Sequence, residues 1–415
     1  AEELDADWQQ MRWEFAPTDV ERYNNLFWGP VQGTGGSTSL ANSWTQLRRA
    51  GAAARSMLVS AAARNWQVPA AEITVDKGML AHPSGRKASF GDMAELAAVE
   101  TPPAEPTLKT PDQFSLIGSD IPRIDSAEKS SGRAMYTADV RRPGMLYAVM
   151  VHPPRFGARL QSMDASATRK LPGVKEVVET ARGVGIVADS FWVADQARQS
   201  LKLEWDDSNA ETRSSSELWS YFRSLADTQG RAVSNTGDIA AAEDAANRSI
   251  ELEFEFPYLA HATMEPLNCV VELGADSCHI WTAAQAPSLD VQLVAQVTGI
   301  APAQVVIHTQ FAGGSFGRRA VPDSDYIVEA AMIASALQRP APISLQWSRE
   351  DDMQAGRYRP MTLHRLRASI DDKAGIISWR HMVVGQPVYR DTPFESMISG
   401  PVDNTITEGG SKLPY

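Results

Sequence analysis

Two cysteines in 415 residues, Cys269 and Cys278, exclude a disulfide framework and an iron–sulfur cluster held by four thiolates. They flank Gly274-Ala275-Asp276-Ser277, which reads as a hairpin turn. Their offset argues against direct cross-strand pairing, so both are read as buried free thiols. No apolar run reaches the length a bilayer span needs, so no transmembrane segment is expected. Positive charge is scarce as well: 39 Lys and Arg stand against 51 Asp and Glu, a net charge of −12. Without a clustered basic surface, neither nucleic acid nor an anionic membrane is an expected partner. A signal-peptide pattern and an initiator Met are also missing. Ala1-Glu2-Glu3-Leu4-Asp5 opens inside what reads as a helix, and Lys412-Leu413-Pro414-Tyr415 stops without a cap. Both ends are read as cuts in a longer polypeptide. The seven histidines, His82, His152, His261, His279, His308, His364 and His381, show no tight ligand spacing. His261 and Glu265 stand four apart, but Pro266 breaks a shared helical face, so no metal site of the His/carboxylate kind is expected.

What is present is an ordinary globular composition, 43% hydrophobic and 22% charged, with eleven Trp. The length predicts several domains. The first unit, 1–107, carries the small-residue loop Gly33-Thr34-Gly35-Gly36-Ser37-Thr38-Ser39. A long helix follows, with Trp44, Leu47, Gly51, Ala54, Leu58 and Ala61 on one face, Asn42 or Ser43 as N-cap, and Pro69 beyond its end. A hairpin is expected around Asp76-Lys77-Gly78. A Pro-rich stretch from Thr101 to Pro111 leads into a linker, 108–120. The second unit, 121–206, alternates strands (Met145–Val151, Val174–Val178, Gly183–Ala188, Leu201–Trp205) with a helix capped at Asp189 or Ser190. A polar connecting region, 207–247, holds a helix or two. In the last unit, 248–415, Ile250, Leu252, Phe254 and Phe256 alternate with Glu251, Glu253 and Glu255. A helix from Ser288 to Val297, a strand at Val305–Ile307, a helix from Asp325 to Leu337 and a hairpin across Asp371–Gly375 complete it. The fold class is α+β.

The segment richest in chemistry is the strand–loop–helix from Val305 to Leu337. Gly313 and Gly314 let the backbone approach a bulky ligand, and a helix N-terminus downstream favours negative charge. Arg318 and Arg319 add donors suited to phosphate. The alternative is a turn needing positive φ beside two solvated arginines. A Walker loop is excluded, because no Gly-Lys-Ser/Thr follows, and the glycine spacing is wrong for a dinucleotide fingerprint.

Four stretches in order carry a family resemblance. Gly313-Gly314-Ser315-Phe316-Gly317-Arg318-Arg319 resembles the Gly-Gly-Gly-Phe-Gly loop of the molybdenum hydroxylases, the xanthine oxidase and aldehyde oxidoreductase family, with Ser in the third glycine position. His261 to Asn268 resembles the family's Met-Glu-Pro segment. Trp281-Thr282-Ala283-Ala284-Gln285 resembles the strand ending in its cofactor-facing Gln. Trp347 to Met353 resembles its Arg-Glu-Asp-Asp-Met segment. Residues 121–140, with Gly132 to Val140, are similar to the start of the α/β hammerhead-like domain. Residues 1–107 are similar to a cofactor-domain segment that most members carry late. That permuted order resembles the isoquinoline 1-oxidoreductase β-subunit type, and 248–415 would be the first molybdenum-cofactor-binding domain.

The resemblance implies that Gln285 faces the molybdenum centre. Phe316 and Gly317 would lay backbone beside metal and pterin, Arg318 and Arg319 would meet a phosphate, and Gly36, Ser37 and Thr38 would form a second pterin loop or, alternatively, a helix-capping turn. It implies a molybdenum–pterin cofactor in cytosine-dinucleotide form, with iron–sulfur clusters in a small partner subunit. A small-molecule aldehyde or N-heteroaromatic substrate would be hydroxylated with oxygen from water. The exported, periplasmic habit of the permuted type is favoured over a cytoplasmic one. Two departures bear on this. Ala320 stands where purine hydroxylases carry a substrate-anchoring Glu, which disfavours purines. The catalytic Glu of a Gly-Glu-Pro-type segment has no match, Glu408-Gly409-Gly410 being in the wrong context, so the catalytic residue is unassigned. The remaining half of the large subunit is the implied partner. The competing readings are a non-catalytic cofactor-binding or assembly module of the same fold, and a nucleotide-binding enzyme.

Overall fold

Local signals account for most elements of the computed structural model, which describes residues 1–390 and, beyond them, 392, 394–398, 400, 402, 403 and 405. The Glu408–Gly410 and Lys412–Tyr415 segments lie outside the described residues. The chain divides into two units, Ala1–Met135 and Tyr136–Tyr415.

In the first unit α1 (Val20–Tyr23) precedes α2 (Thr38–Trp66), a 29-residue helix. Its N-cap is Ser37, not Asn42 or Ser43: the Asn42 side chain accepts from the Leu26 N–H at 2.8 Å, so the helical backbone runs on past it. Strands β1 (Thr74–Asp76), β2 (Met79–Ala81) and β3 (Lys87–Ser89) form a meander whose first turn is Lys77-Gly78. Helix α3 (Phe90–Ala97) follows with a Ser89/Asp92 capping box, and α4 (Ser126–Ser130) comes last. Leu58, Ala61 and Ala62 of α2 pack with Ile73, Leu80, Ala88, Met93 and Ala97. The stripe foreseen on α2 is buried only in its second half, since Trp44 and Leu47 are 46% and 70% exposed. Residues 1–5 form turns rather than the expected helix. Glu2 is buried there. Burial opposes its charge, but Lys109 and the N–H groups of Ile117, Leu116 and Ser115 bring its pKa down to about 2.

In the second unit the strands are β4 (Leu146–Val151), β5 (Arg159–Asp164), β6 (Val174–Thr180), β7 (Gly183–Ala188), β8 (Lys202–Asp206), β9 (Arg248–Phe256), β10 (Asn268–Leu273), β11 (Cys278–Thr282), β12 (Val305–Thr309), β13 (Ile343–Gln346), β14 (Thr362–Ile370) and β15 (Ile376–Gly385). Seven of them form a mixed sheet ordered β12-β11-β10-β13-β4-β7-β6. This sheet draws strands from both the 121–206 and 248–415 stretches, because β13 pairs in parallel with β4. Strand alternation sends Ala148, Met150 and Val187 to one face, under α8 (Pro287–Thr298) and α9 (Asp325–Ala336). Val149, Ile186 and Ala188 face the other way, against α5 (Phe191–Ala197). Cys269 and Cys278 are buried and unbridged in the larger core, and burial drives both thiol pKa values up, that of Cys278 to about 12.

A second sheet runs β15-β14-β9. Its glutamates pair with basic groups: Arg223 of α6 (Ser215–Ala226) reaches Glu253 and Glu255, and Arg365 reaches Glu253. Glu243 of α7 (Ile239–Asp244) binds Arg380 on the same side. The opposite row, Ile250, Leu252, Phe254 and Phe256, is exposed.

Candidate functional site

Two turns bring the sequence motifs of the second unit together. Leaving β11, the chain passes Gln285 and enters α8, whose first residue, Pro287, suits a helix start. Leaving β12, it enters the loop 312–319. There Ser315 Oγ meets Gln285 Oε1 at 2.6 Å, and the Arg319 N–H meets Ser315 Oγ at 3.4 Å. The Gln285 and Ser315 expected at one site are therefore in contact.

The loop is held from behind by Glu265. Its N–H donates to the Gly313 carbonyl at 2.9 Å, and its Oε2 accepts from the Gly313 N–H at 2.8 Å. Oε1 accepts from Asn268 Nδ2 at 2.9 Å. This contact explains Gly313 better than a bulky ligand does, since a Cβ there would stand 2.4 Å from Glu265 Cβ. The Met-Glu-Pro resemblance flagged the segment, but it gave Glu265 no role. A carboxylate aimed at a loop 48 residues away leaves no periodic trace in sequence.

The arginines are not where the sequence placed them. Arg318 and Arg319 are 1% and 2% exposed, neither solvated nor offered to a phosphate. Arg318 forms a two-point ion pair with Asp325, at 3.2 and 2.6 Å. Burial opposes the Arg318 charge, but Asp325 holds its pKa above the usual arginine value. Arg319 donates through Nε to the Gly314 carbonyl and through Nη2 to the Glu265 carbonyl, both at 3.2 Å. They brace the loop because the chain folds back over both guanidinium groups. The N-terminus of α9 is likewise covered: Ser324 and Asp325 are buried, and Ser324 Oγ donates to Asp290 at 2.6 Å. Asp290 is buried, and desolvation pushes its pKa up to about 7.

What the loop turns outward is Phe316 and Gly317. Phe316 is 73% exposed at φ +54°, and Gly317 sits at φ +92°. No described atom lies within 4 Å of where a Gly317 Cβ would project. This bare stretch of backbone suits a large flat group laid against it.

The Arg-Glu-Asp-Asp-Met segment forms α10 (Arg349–Gln354), behind a Ser348/Asp351 capping box. Arg349 donates to the Thr263 carbonyl and pairs with Asp352, so this helix supports the Glu265 segment. Asp351 also takes both Nη groups of Arg198 at 2.8 Å. His152 lies between Glu329 and Asp351; burial opposes its cation, but those carboxylates raise its pKa to about 9. The network is structural glue beneath the loop.

In the first unit Gly36 and Ser37 adopt positive φ, 58° and 57°, and Thr38 opens α2. Thr38 Oγ1 accepts from Asn25 Nδ2 at 2.8 Å and donates to the Gly35 carbonyl at 2.7 Å. These three residues make the turn into the helix, although the Ser37 side chain makes no cap bond. Among the described residues, no group of three or more His, Cys, Asp or Glu is placed to hold a metal ion.

The fold and this loop define a molybdopterin cofactor-binding domain, and the model of that family matches residues 225–387. The chain is 31% identical to the beta chain of isoquinoline 1-oxidoreductase from Brevundimonas diminuta, over 92% of this chain and 54% of the relative. It is 27% identical to the membrane-bound aldehyde dehydrogenase (pyrroloquinoline-quinone) of Gluconacetobacter polyoxogenes, over 99% of this chain and 54% of that one. Among solved structures, quinoline 2-oxidoreductase from Pseudomonas putida 86 superposes with a TM-score of 0.51 at 18% identity, covering 64% of this chain and 39% of that one. Aldehyde oxidoreductase from Desulfovibrio gigas gives 0.52 at 18% identity, covering 66% and 35%. Residues 225–387 belong to the molybdopterin cofactor-binding domain family, and most of the chain is similar to the two sequence relatives. The chain spans about half the length of the two sequence relatives.

Proposed function

We propose that these residues are the molybdopterin-binding part of an oxidoreductase that hydroxylates an aldehyde or N-heteroaromatic carbon with oxygen from water. The observation that carries this reading is the loop 312–319, braced from inside by Glu265, Arg318 and Arg319 and presenting Phe316 and bare backbone at Gly317. When bound, the cofactor supplies two-electron redox chemistry at carbon. The chain's own part is to seat it. Gly314, Ser315, Phe316 and Gly317 would offer backbone, and Gln285 a side-chain amide. Arg318 and Arg319 would keep the loop rigid rather than touch phosphate. Gly36, Ser37 and Thr38 would form a second pterin-holding loop. On this reading 1–107 is a permuted cofactor-domain segment, 108–120 a linker, 121–206 hammerhead-like, 207–247 a connector and 248–415 the first cofactor-binding domain.

The cofactor would carry a cytosine dinucleotide, and a small iron–sulfur subunit would take the electrons, since two buried thiols cannot hold a cluster. The proton-abstracting carboxylate would come from the remaining half of the large subunit. The test is to assay the full-length subunit, with its partner, on aldehydes and N-heterocycles in ¹⁸O-labelled water with an artificial acceptor. At least one labelled oxygen per product is expected, since aldehyde carbonyls also exchange with the labelled water. Unlabelled product, or none from either substrate class, would refute the proposal. The placement of the two loops is checked separately with Ser37→Cys and Phe316→Cys, bridged by a reagent spanning about 10–20 Å, the width of a ligand pocket. The native cysteines are buried and do not compete. Failure to bridge would remove Gly36–Thr38 from the site.

A further inference from the structure

We infer that the open face of the β15-β14-β9 sheet is a docking surface for the part of the same subunit that lies outside residues 1–415. This rests on the proposal that these residues are half of a larger subunit, and not on the cofactor. Strand pairing sets Phe254 beside His364 and Val383, Leu252 beside Leu366 and His381, and Ile250 beside Ala368 and Trp379. Residues directly opposite one another in a sheet share one face. The rings agree with this placement. Phe256 meets His364 edge-on with centroids 5.1 Å apart, and the His364 and His381 rings are 5.0 Å apart. The face is mostly apolar, and it is open: Leu252, Trp379 and Ile376 are 54%, 53% and 62% exposed. Charges sit on the other face. Glu253, Arg365 and Arg380 project there, where Leu363 and Met382 pack with Leu218 and Phe222 of α6. The charged side is thus covered by a helix and the apolar side is bare, the reverse of a sheet that turns one face to water.

Size and charge point to the occupant. Three strands about 4.8 Å apart, with nine residues of about 3.4 Å each, present about 400 Å². Contiguous apolar exposure on that scale marks an interaction site. It is about half of the roughly 800 Å² that each partner of a stable complex buries, so it suits a layer tethered through the chain rather than a free partner. Among the described residues β9 pairs with β14 alone, which leaves its other edge free. Joining two copies through that edge in antiparallel register would set the Glu251, Glu253 and Glu255 row of one against the same row of the other. A second copy is therefore a poor occupant. The two sequence relatives carry a better one: this chain spans 54% of each, so a stretch nearly as long as these residues remains to be packed somewhere.

The experiment uses the full-length subunit with its partner. Leu252→Cys is compared with Lys373→Cys, which is exposed in the turn between β14 and β15, for the rate of maleimide labelling read peptide by peptide by mass spectrometry. Leu252→Cys is expected to label about 10-fold or more slowly than the control, because a covered thiol reacts only when the layer above it opens. In a second sample, otherwise of parent sequence, a photo-cross-linking phenylalanine is incorporated at Phe254. It is expected to join residues of the same subunit outside 1–415. Equal labelling of the two cysteines would overturn the inference, and so would a cross-link to a second copy, to the partner subunit or to residues 1–135. The intact mass of the subunit tests the underlying proposal separately. A subunit no longer than these residues would remove the occupant, and the inference with it.

Discussion

The loops at 33–39 and 312–319 are both rich in glycine, both place a non-glycine residue at positive φ, and both lead toward a helix, yet they are held in opposite ways. Ties of the first are local: Thr38 binds Gly35 and Asn25, and Thr34 meets Ser39. The second is fastened by residues far off in sequence, Gln285 and Glu265, and by two arginines sealed inside the fold. The helices behind them differ in the same sense. Helix α2 leaves Leu40, Trp44 and Leu47 exposed in its first turns, whereas α9 is buried along nearly its whole length. Long-range ties make the second loop a preformed surface. Among the described residues, the ties named for the first come from nearby in sequence.

That contrast is broken most severely at Arg318. Arg318→Ala leaves Asp325 buried without its partner, which costs about 3–5 kcal/mol. Denaturant unfolding should register the full loss, and a change below about 1 kcal/mol would show that the loop does not depend on its interior brace. Next in size is a pH effect at Asp290, which is bonded to Ser324 ahead of α9. Its folded pKa of about 7 lies above the ordinary aspartate value of 3.8, so the folded state holds the proton more tightly. Its contribution is fully present below pH 3.8 and is lost as pH rises through about 7. Asp290→Asn should flatten the fall in stability between those values, as read from unfolding midpoints. An unchanged pH profile would mean that this carboxyl titrates normally.

The first loop answers on a smaller scale. Asn25→Ala removes its hydrogen bonds to Thr38, the Gly33 carbonyl and the Phe27 N–H and is expected to cost about 1–3 kcal/mol, with faster amide exchange confined to residues near 25–39. Exchange spreading along all of α2 would contradict a purely local tie. Smallest of all is Phe316→Leu. The side chain is exposed, so stability should stay within about 0.5 kcal/mol of the parent by thermal melt.

Much of this was legible in the sequence. The Lys77-Gly78 hairpin and the Ser190 cap were announced by turn and cap residues that act over a few positions. The start of α2 was misplaced because Asn42, a good capping residue, is bound to Leu26 instead. Strand β5 went unseen, since its sequence, Arg-Leu-Gln-Ser-Met-Asp, has only two apolar residues and its pairing with β8 is non-local. At the site, the sequence picked out Gln285 and the glycine loop by motif. It also read Arg318 and Arg319 as ligand donors, because two adjacent arginines after glycines look solvent-facing until Asp325 and Glu265 are seen to surround them. The Glu265 clamp and the Ser315–Gln285 bond needed three dimensions.

Whether the loop 312–319 seats a molybdenum–pterin group is tested most directly by elemental analysis, together with mass spectrometry of the pterin released from the purified full-length complex. Molybdenum and pterin are expected in equal amounts, close to one of each per chain, with loss of both in a Glu265→Ala variant that frees the loop. A complex that carries phosphorus and a nucleotide but no molybdenum would contradict the assignment.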